Sequence, residues 1–183
     1  SVPSFRLDGQ VAVVTGASSG LGVILAAALA EQGCRLVLAA RRAELLERVC
    51  AELCANGAEA VAVPSDVADP DHAELLVASA LSTYGRLDGV VANAGIADGI
   101  AAEQATPALY DQVFRVNVTA GANLAGAAAR HMIAAGTPGW IIMQSSILAR
   151  KAGTGGGVAA YTASKAATEQ LVRELARQWA RFN

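Results

Sequence analysis

Thr15-Gly16-Ala17-Ser18-Ser19-Gly20-Leu21-Gly22 is the stretch that decides the fold. It follows the apolar run Val11–Thr15 and leads into a helical-period segment from Gly20 to Gln32, with Leu21, Ile24, Leu25, Ala28 and Leu29 on its apolar stripe and Gly33 ending it. Three glycines in a strand-to-helix turn have a mechanical reading. Gly16 allows a tight turn, Gly20 lets a ligand approach the backbone, and Gly22 permits close packing of helix on strand. The free N–H groups and the positive helix end then face an anion, most simply a pyrophosphate. The spacing is not G-x-G-x-x-G, and it lacks the Lys-Ser/Thr ending of a nucleoside-triphosphate loop, which argues against a kinase or ATPase.

Outward from this turn, apolar stretches at 35–39, 58–63, 88–92 and 140–144 read as further short strands. They are apolar almost throughout rather than alternating, as in a parallel sheet covered by helices on both faces. A sixth apolar stretch, 159–171, is longer and alanine-rich, so its length assigns it to a helix. Helices are predicted over 44–55, with Leu45, Leu46, Val49 and Leu53 on one face, and from Asp69-Pro70 to about Tyr84-Gly85. A long helix is expected from Thr106-Pro107 to about Ala135-Gly136, and a last one from Ala159 onward with Leu171, Val172, Leu175, Ala176 and Trp179 as its apolar face. This alternation predicts an α/β fold: a doubly wound, Rossmann-like parallel sheet in a three-layer sandwich, as a single domain over 1–183.

Composition narrows the function classes. The 183 residues are 54% hydrophobic and carry a net charge of −2. That apolar content excludes a disordered chain, and the absence of a basic stripe speaks against a nucleic-acid partner. No apolar run is long enough for a membrane span, and the first ten residues lack a signal-peptide core. Three cysteines, Cys34, Cys50 and Cys54, suit a reducing cytoplasm. Cys50 and Cys54 share a helix face, but no nearby His or Cys completes zinc spacing, so no metal is expected. His72 and His131 read as helix-surface residues, and Trp140 and Trp179 as core or subunit contacts.

The candidate chemistry lies where strands end. The second strand finishes at Ala39-Ala40-Arg41-Arg42. An acidic residue there would bind a ribose 2′-hydroxyl, whereas arginine accommodates a 2′-phosphate, so Arg41 favours NADP(H), with NAD(H) as the alternative cofactor. Arg42 has a plainer reading as a residue of the first turn of a solvated helix. Tyr161 and Lys165 lie four apart on one helix face, where the ammonium would favour the phenolate and bring the phenol into range for proton transfer. Asn93 after the fourth strand and Ser145-Ser146 after the fifth would gather with them at the carboxyl edge of the sheet.

Taken together, these motifs resemble the short-chain dehydrogenase/reductase family. Thr15–Gly22 is similar to its TGxxxGxG cofactor motif, Asn93-Ala94-Gly95 to its NAG motif and Tyr161…Lys165 to its YxxxK motif, with an upstream serine and Asn117 also matching. The resemblance implies Tyr161 as general acid and base, with Lys165 on the nicotinamide ribose. It implies Ser146, rather than Ser145, on the substrate oxygen and Asn117 anchoring a relay water. It further implies Ser18, Ser19 and Leu21 along the pyrophosphate turn, Asp66 and Val67 at the adenine, and Asn93 and Gly95 holding the sheet edge against the cofactor. The expected activity is hydride transfer between NADP(H) and a small-molecule carbonyl/alcohol substrate, in a homodimer or homotetramer. A catalytically silent dinucleotide-binding or scaffold protein is the rival. Two departures stand out. The segment from Ser146 to Tyr161, with Lys151 and Gly155-Gly156-Gly157, is slightly long for the family, and the family's C-terminal strands are absent, so the chain is expected to be incomplete there.

Overall fold

Alternation of side chains along strand β1 (Val11–Thr15) divides the core in two. The computed structural model describes residues 5–153 and 156–182; Gly155 of the glycine run and Asn183 lie outside the described residues. Val11 and Val13 face helices α3 (His72–Tyr84) and α5 (Ala120–Ala135), meeting Leu76, Leu124 and Met132. Ala12 and Val14 face the opposite layer, α1 (Leu21–Glu31) and α2 (Ala43–Ala55), with Ala26, Leu46 and Val49. Strands β2 (Arg35–Ala40), β3 (Ala60–Pro64), β4 (Gly89–Ala92) and β5 (Trp140–Met143) complete the sheet. All four pairings are parallel, in the order β3-β2-β1-β4-β5. The doubly wound, three-layer α/β fold follows directly from that order. Since β1 is paired with β2 on one side and β4 on the other, the chain turns opposite ways after β1 and β4, and a crevice opens at their carboxyl ends.

At the other end of the sheet, Asp88 staples the same two strands. Its Oδ2 accepts the Val11 N–H at 2.8 Å, and Arg86 donates two hydrogen bonds to the carboxylate at 2.7 and 2.9 Å. Trp140 packs at the sheet edge as expected, its Nε1 donating to Gln10 Oε1 at 2.8 Å.

Several local expectations are corrected. On α1, Leu21 is 57% and Ile24 63% exposed, and Ala28 is exposed too. The buried residues are Gly22 and Ala26, because a helix apolar all round presents its smallest side chains to the sheet and so comes closest. Asp69-Pro70 does not open α3. Asp69 Oδ1 accepts from Asp71 N at 2.9 Å, a local turn that competes with the helix, which starts at His72. His72 is not a surface residue: it is 2% exposed, with its ring nitrogens 2.7 and 3.2 Å from the carbonyls of Asp69 and Ala120.

The long helix from Thr106 is interrupted. Thr106 caps α4 (Pro107–Phe114), its side chain accepting from Leu109 N at 3.3 Å. A π turn, Arg115–Thr119, then precedes α5. Val116, Val118 and Thr119 are β-branched and crowd an α-helical turn, and widening it relieves them. Helix α6 (Ala159–Trp179) buries Ala160, Ser164, Lys165 and Thr168, whereas Val172, Leu175, Ala176 and Trp179 line an apolar groove of about 680 Å³ beside α5 and β5. Among the described residues no helix is long and apolar enough to cross a membrane.

Candidate active site

The glycine turn is built from two different constraints. Gly16 and Gly22 are packed. A Cβ on Gly22 would sit 2.7 Å from the Gly16 carbonyl carbon and 2.9 Å from Asn93 Nδ2, and one on Gly16 would lie 2.9 Å from that same nitrogen. Gly20 is the opposite case. It holds φ 58°, ψ −136°, a conformation that side chains avoid, yet a Cβ there would meet nothing within 4 Å. One glycine face is thus held open beside the N-terminus of α1, where backbone N–H groups suit a pyrophosphate.

Asn93 locks this turn to the neighbouring strand. Its Nδ2 donates to the Thr15 carbonyl at 3.0 Å, while the N–H groups of Asn93 and Ala94 donate to Thr15 Oγ1 at 3.1 Å each. The carboxyl ends of β1 and β4 are therefore held by side chains where the strands part. Beyond them lies a cavity of about 240 Å³ lined by Gly16, Ser18, Ser19, Arg41, Arg42, Asp66, Val67, Asn93 and Gly95.

Arg41 is exposed on this cavity, and its guanidinium has no hydrogen-bond partner among the described residues. Arg42 was legible only as a first-turn residue. Its guanidinium instead reaches back to the glycine turn, donating to Ser18 Oγ at 3.1 Å and Ser19 Oγ at 2.6 Å. Two cations thus flank one polar cavity, and one of them orders the turn's hydroxyls.

A second cavity, about 490 Å³, adjoins the first through Asn93, Gly95 and Ile96. Leu21, Ser145, Ser146, Tyr161 and Lys165 line it. Lys165 is 3% exposed; its Nζ donates to the Gln144 carbonyl at 2.7 Å and lies 5.7 Å from the Tyr161 ring centroid. Burial pushes the Lys165 ammonium below its ordinary pKa. Ser146 Oγ accepts from Leu148 N at 3.2 Å, which holds the side chain at the end of β5. Ser145 Oγ is engaged on helix α6, donating to the Lys165 carbonyl at 3.2 Å.

Asn117 lies in the π turn and is 5% exposed. Its Oδ1 accepts from Ile96 N at 2.8 Å, and its Nδ2 donates to the Ile96 carbonyl and to Ser164 Oγ, both at 2.9 Å. The side chain therefore joins the loop after β4 to helix α6. Asp98 makes a second such tie that the sequence reading missed. Its Oδ1 accepts from Tyr161 N at 3.0 Å, supplying the cap that Val158 lacks at the start of α6. An acid three residues beyond Gly95 is too ordinary a surface signal to have revealed this.

Comparison with known proteins identifies the family. The family model for short chain dehydrogenase matches residues 10–183. The chain belongs to the short-chain dehydrogenase family. It is 39% identical to the versicolorin reductase stcU of Emericella nidulans over 177 residues, which are 96% of this chain and 66% of that protein. The crystal structure of a short-chain type dehydrogenase/reductase from Mycobacterium marinum superposes with a TM-score of 0.94 at 32% identity, covering 98% of this chain and 72% of that one. A Beutenbergia cavernae protein assigned to the NAD(P)-dependent gluconate 5-dehydrogenases, solved with NADP at low occupancy, gives a TM-score of 0.90 at 35% identity. That match covers 99% of this chain and 71% of the other. The chain thus spans just under two thirds of the length of the curated relatives it matches.

Proposed function

We propose that the protein is an NADP(H)-dependent oxidoreductase acting on a carbonyl/alcohol pair, with Tyr161 as its general acid and base. One observation carries the reading: the cavity bearing Ser146, Tyr161 and Lys165 adjoins, across Asn93, Gly95 and Ile96, the one bordered by the glycine turn and the two arginines. The turn fits a dinucleotide because Gly20 leaves its face open where Gly16 and Gly22 are closed. When bound, a nicotinamide supplies or accepts the hydride.

The residues then divide the work. Ser18, Ser19, Gly20, Leu21 and the turn's N–H groups receive the pyrophosphate. Arg41, with Arg42 beside it, offers planar charge-assisted donors to a 2′-phosphate. Asp66 and Val67 border the adenine end, and Asn93 and Gly95 the junction between the cavities. Ser146 Oγ donates to the substrate oxygen, and the Tyr161 hydroxyl delivers the proton to it in reduction or removes it in oxidation. Lys165, fixed on the Gln144 carbonyl, presents its ammonium to the phenol ring and to the ribose. Asn117, its amide engaged on Ile96 and Ser164 and its backbone carbonyl accepting from Thr168 Oγ1 at 3.4 Å, positions the β4 loop against α6.

The relatives, named as reductases and dehydrogenases, support an oxidoreductase; solved neighbours carry NADP, NADH or NAD, and the preference for NADP(H) rests on Arg41 and Arg42. Three free thiols suit a reducing, cytoplasmic setting. The exposed apolar residues of α4 and α6, Tyr110 and Val172, suit packing against a second copy in a homodimer or homotetramer. A silent scaffold has no use for the complete Ser–Tyr–Lys set. The test is Tyr161→Phe assayed with NADPH against ketones, aldehydes and quinones. Turnover should vanish while NADPH affinity stays within a few-fold of the parent; retained turnover would sink the reading.

A further inference from the structure

Helix α2 ends in a pair of thiols that the proposed reaction does not use. Cys50 and Cys54 are four residues apart, and their Sγ atoms lie 3.2 and 3.6 Å from one and the same acceptor, the carbonyl of Ala60 at the start of edge strand β3. Cys54 is exposed and Cys50 half-buried, so the pair opens to solvent, whereas Cys34 is buried in the core.

Geometry limits what this pair can do. Neighbouring Cβ atoms four apart on a helix are about 5–6 Å from each other. A disulfide requires Cβ atoms about 3.5–4.5 Å apart, so direct S–S bonding would distort α2. An atom bridging the sulfurs through two metal–sulfur bonds of about 2.3 Å spans the wider gap without moving the helix. Zinc and iron–sulfur centres need four ligands, and among the described residues no group of three or more His, Cys, Asp or Glu side chains is placed to hold a metal. What remains is a soft cation satisfied by two thiolates.

We propose that Cys50 and Cys54 form a two-coordinate site for a soft monovalent cation of the Cu(I) class. The reaction is ligand exchange without redox: two S–H bonds break, two S–Cu bonds form, and two protons pass to solvent, leaving a site of charge −1. This site lies at the end of α2 away from Arg42, and the proposal stands independently of the oxidoreductase reading.

The experiment is anaerobic titration of the intact protein with Cu(I) against a competing chelator, read by thiolate-to-copper absorption and by proton release. One Cu(I) per chain, with two protons released, is expected. Chelation by a second linked ligand gains about 10²–10⁴ in affinity, so Cys50→Ser and Cys54→Ser should each weaken binding by about a hundredfold or more. The double variant, which keeps Cys34, should bind none. Cys54 is exposed, so Cys54→Ser folds and decides the matter alone if Cys50→Ser does not. Affinity in Cys54→Ser within about threefold of the parent, or undiminished binding in the double variant, would overturn the proposal.

Discussion

Substituting alanine at Gly22 separates the packing role of the glycine turn from its ligand role. The added methyl would sit on the Gly16 carbonyl, 2.7 Å from its carbon, and 2.9 Å from the Asn93 Nδ2 that ties β1 to β4. Ordinary carbon contacts lie at about 3.5–4.0 Å, so α1 or the turn must retreat by nearly an ångström. Neither partner is the loose end of a flexible side chain. Overpacking costs about 1–3 kcal/mol, and a clash with backbone belongs at the top of that range. For a domain of this size, about 3 kcal/mol lowers Tm by about 6–12 °C. Gly20→Ala is the matched comparison. It pays backbone strain of about 1–3 kcal/mol for its φ of 58° but meets no atom within 4 Å. Thermal unfolding followed by circular dichroism, with NADPH binding measured by fluorescence, distinguishes the two. Gly22→Ala should lose stability first; Gly20→Ala should stay folded and lose nucleotide affinity. A Gly22→Ala protein melting within about 2 °C of the parent would refute the close packing of α1 on β1.

Further outcomes follow from other contacts. Asp88→Ala strands the Val11 N–H at the buried start of β1 and should cost about 2–3 kcal/mol in urea unfolding, whereas Arg86→Ala, on the exposed side of the same pair, should cost less than about 1 kcal/mol. Lys165 titrates below its ordinary 10.5 in the folded protein, so the unfolded chain holds that proton more tightly. Stability relative to Lys165→Met should therefore rise with pH on the approach to 10.5; a flat or falling difference would contradict the burial. Arg41→Asp and Arg42→Asp should each weaken NADPH binding about tenfold or more, with NADH affected far less, because each removes a charge-assisted donor and adds a repelling carboxylate. An unchanged NADPH/NADH ratio in both would remove the basis for the cofactor preference.

The parts of this fold that were legible in the sequence are those fixed by local composition. The five apolar strands, the glycine turn and the Tyr161–Lys165 spacing needed only periodicity and backbone sterics. What escaped depends on long-range contact. The exposure of Leu21 and Ile24 on α1 is not encoded locally, because a helix apolar on every side gives no face signal, and the small residues Gly22 and Ala26 take the sheet. The π turn had a trace in the crowding of Val116, Val118 and Thr119, but its consequence, Asn117 bonded to Ile96 and Ser164, required the tertiary structure. Asp98 capping a helix 63 residues away, and His72 buried between two carbonyls, left no pattern in the chain at all. Arg42 carries only a first-turn signal in the chain, since only the folded turn brings Ser18 and Ser19 to it.

The most direct measurement is the crystal structure of the protein soaked with NADPH. The pyrophosphate should lie against Gly20, the 2′-phosphate by Arg41 and Arg42, and the nicotinamide between Leu21 and Tyr161 with the ribose on Lys165. A nucleotide bound elsewhere, or one whose nicotinamide lies outside the Ser146–Tyr161–Lys165 cavity, would contradict a hydride-transfer site at the carboxyl ends of β1 and β4.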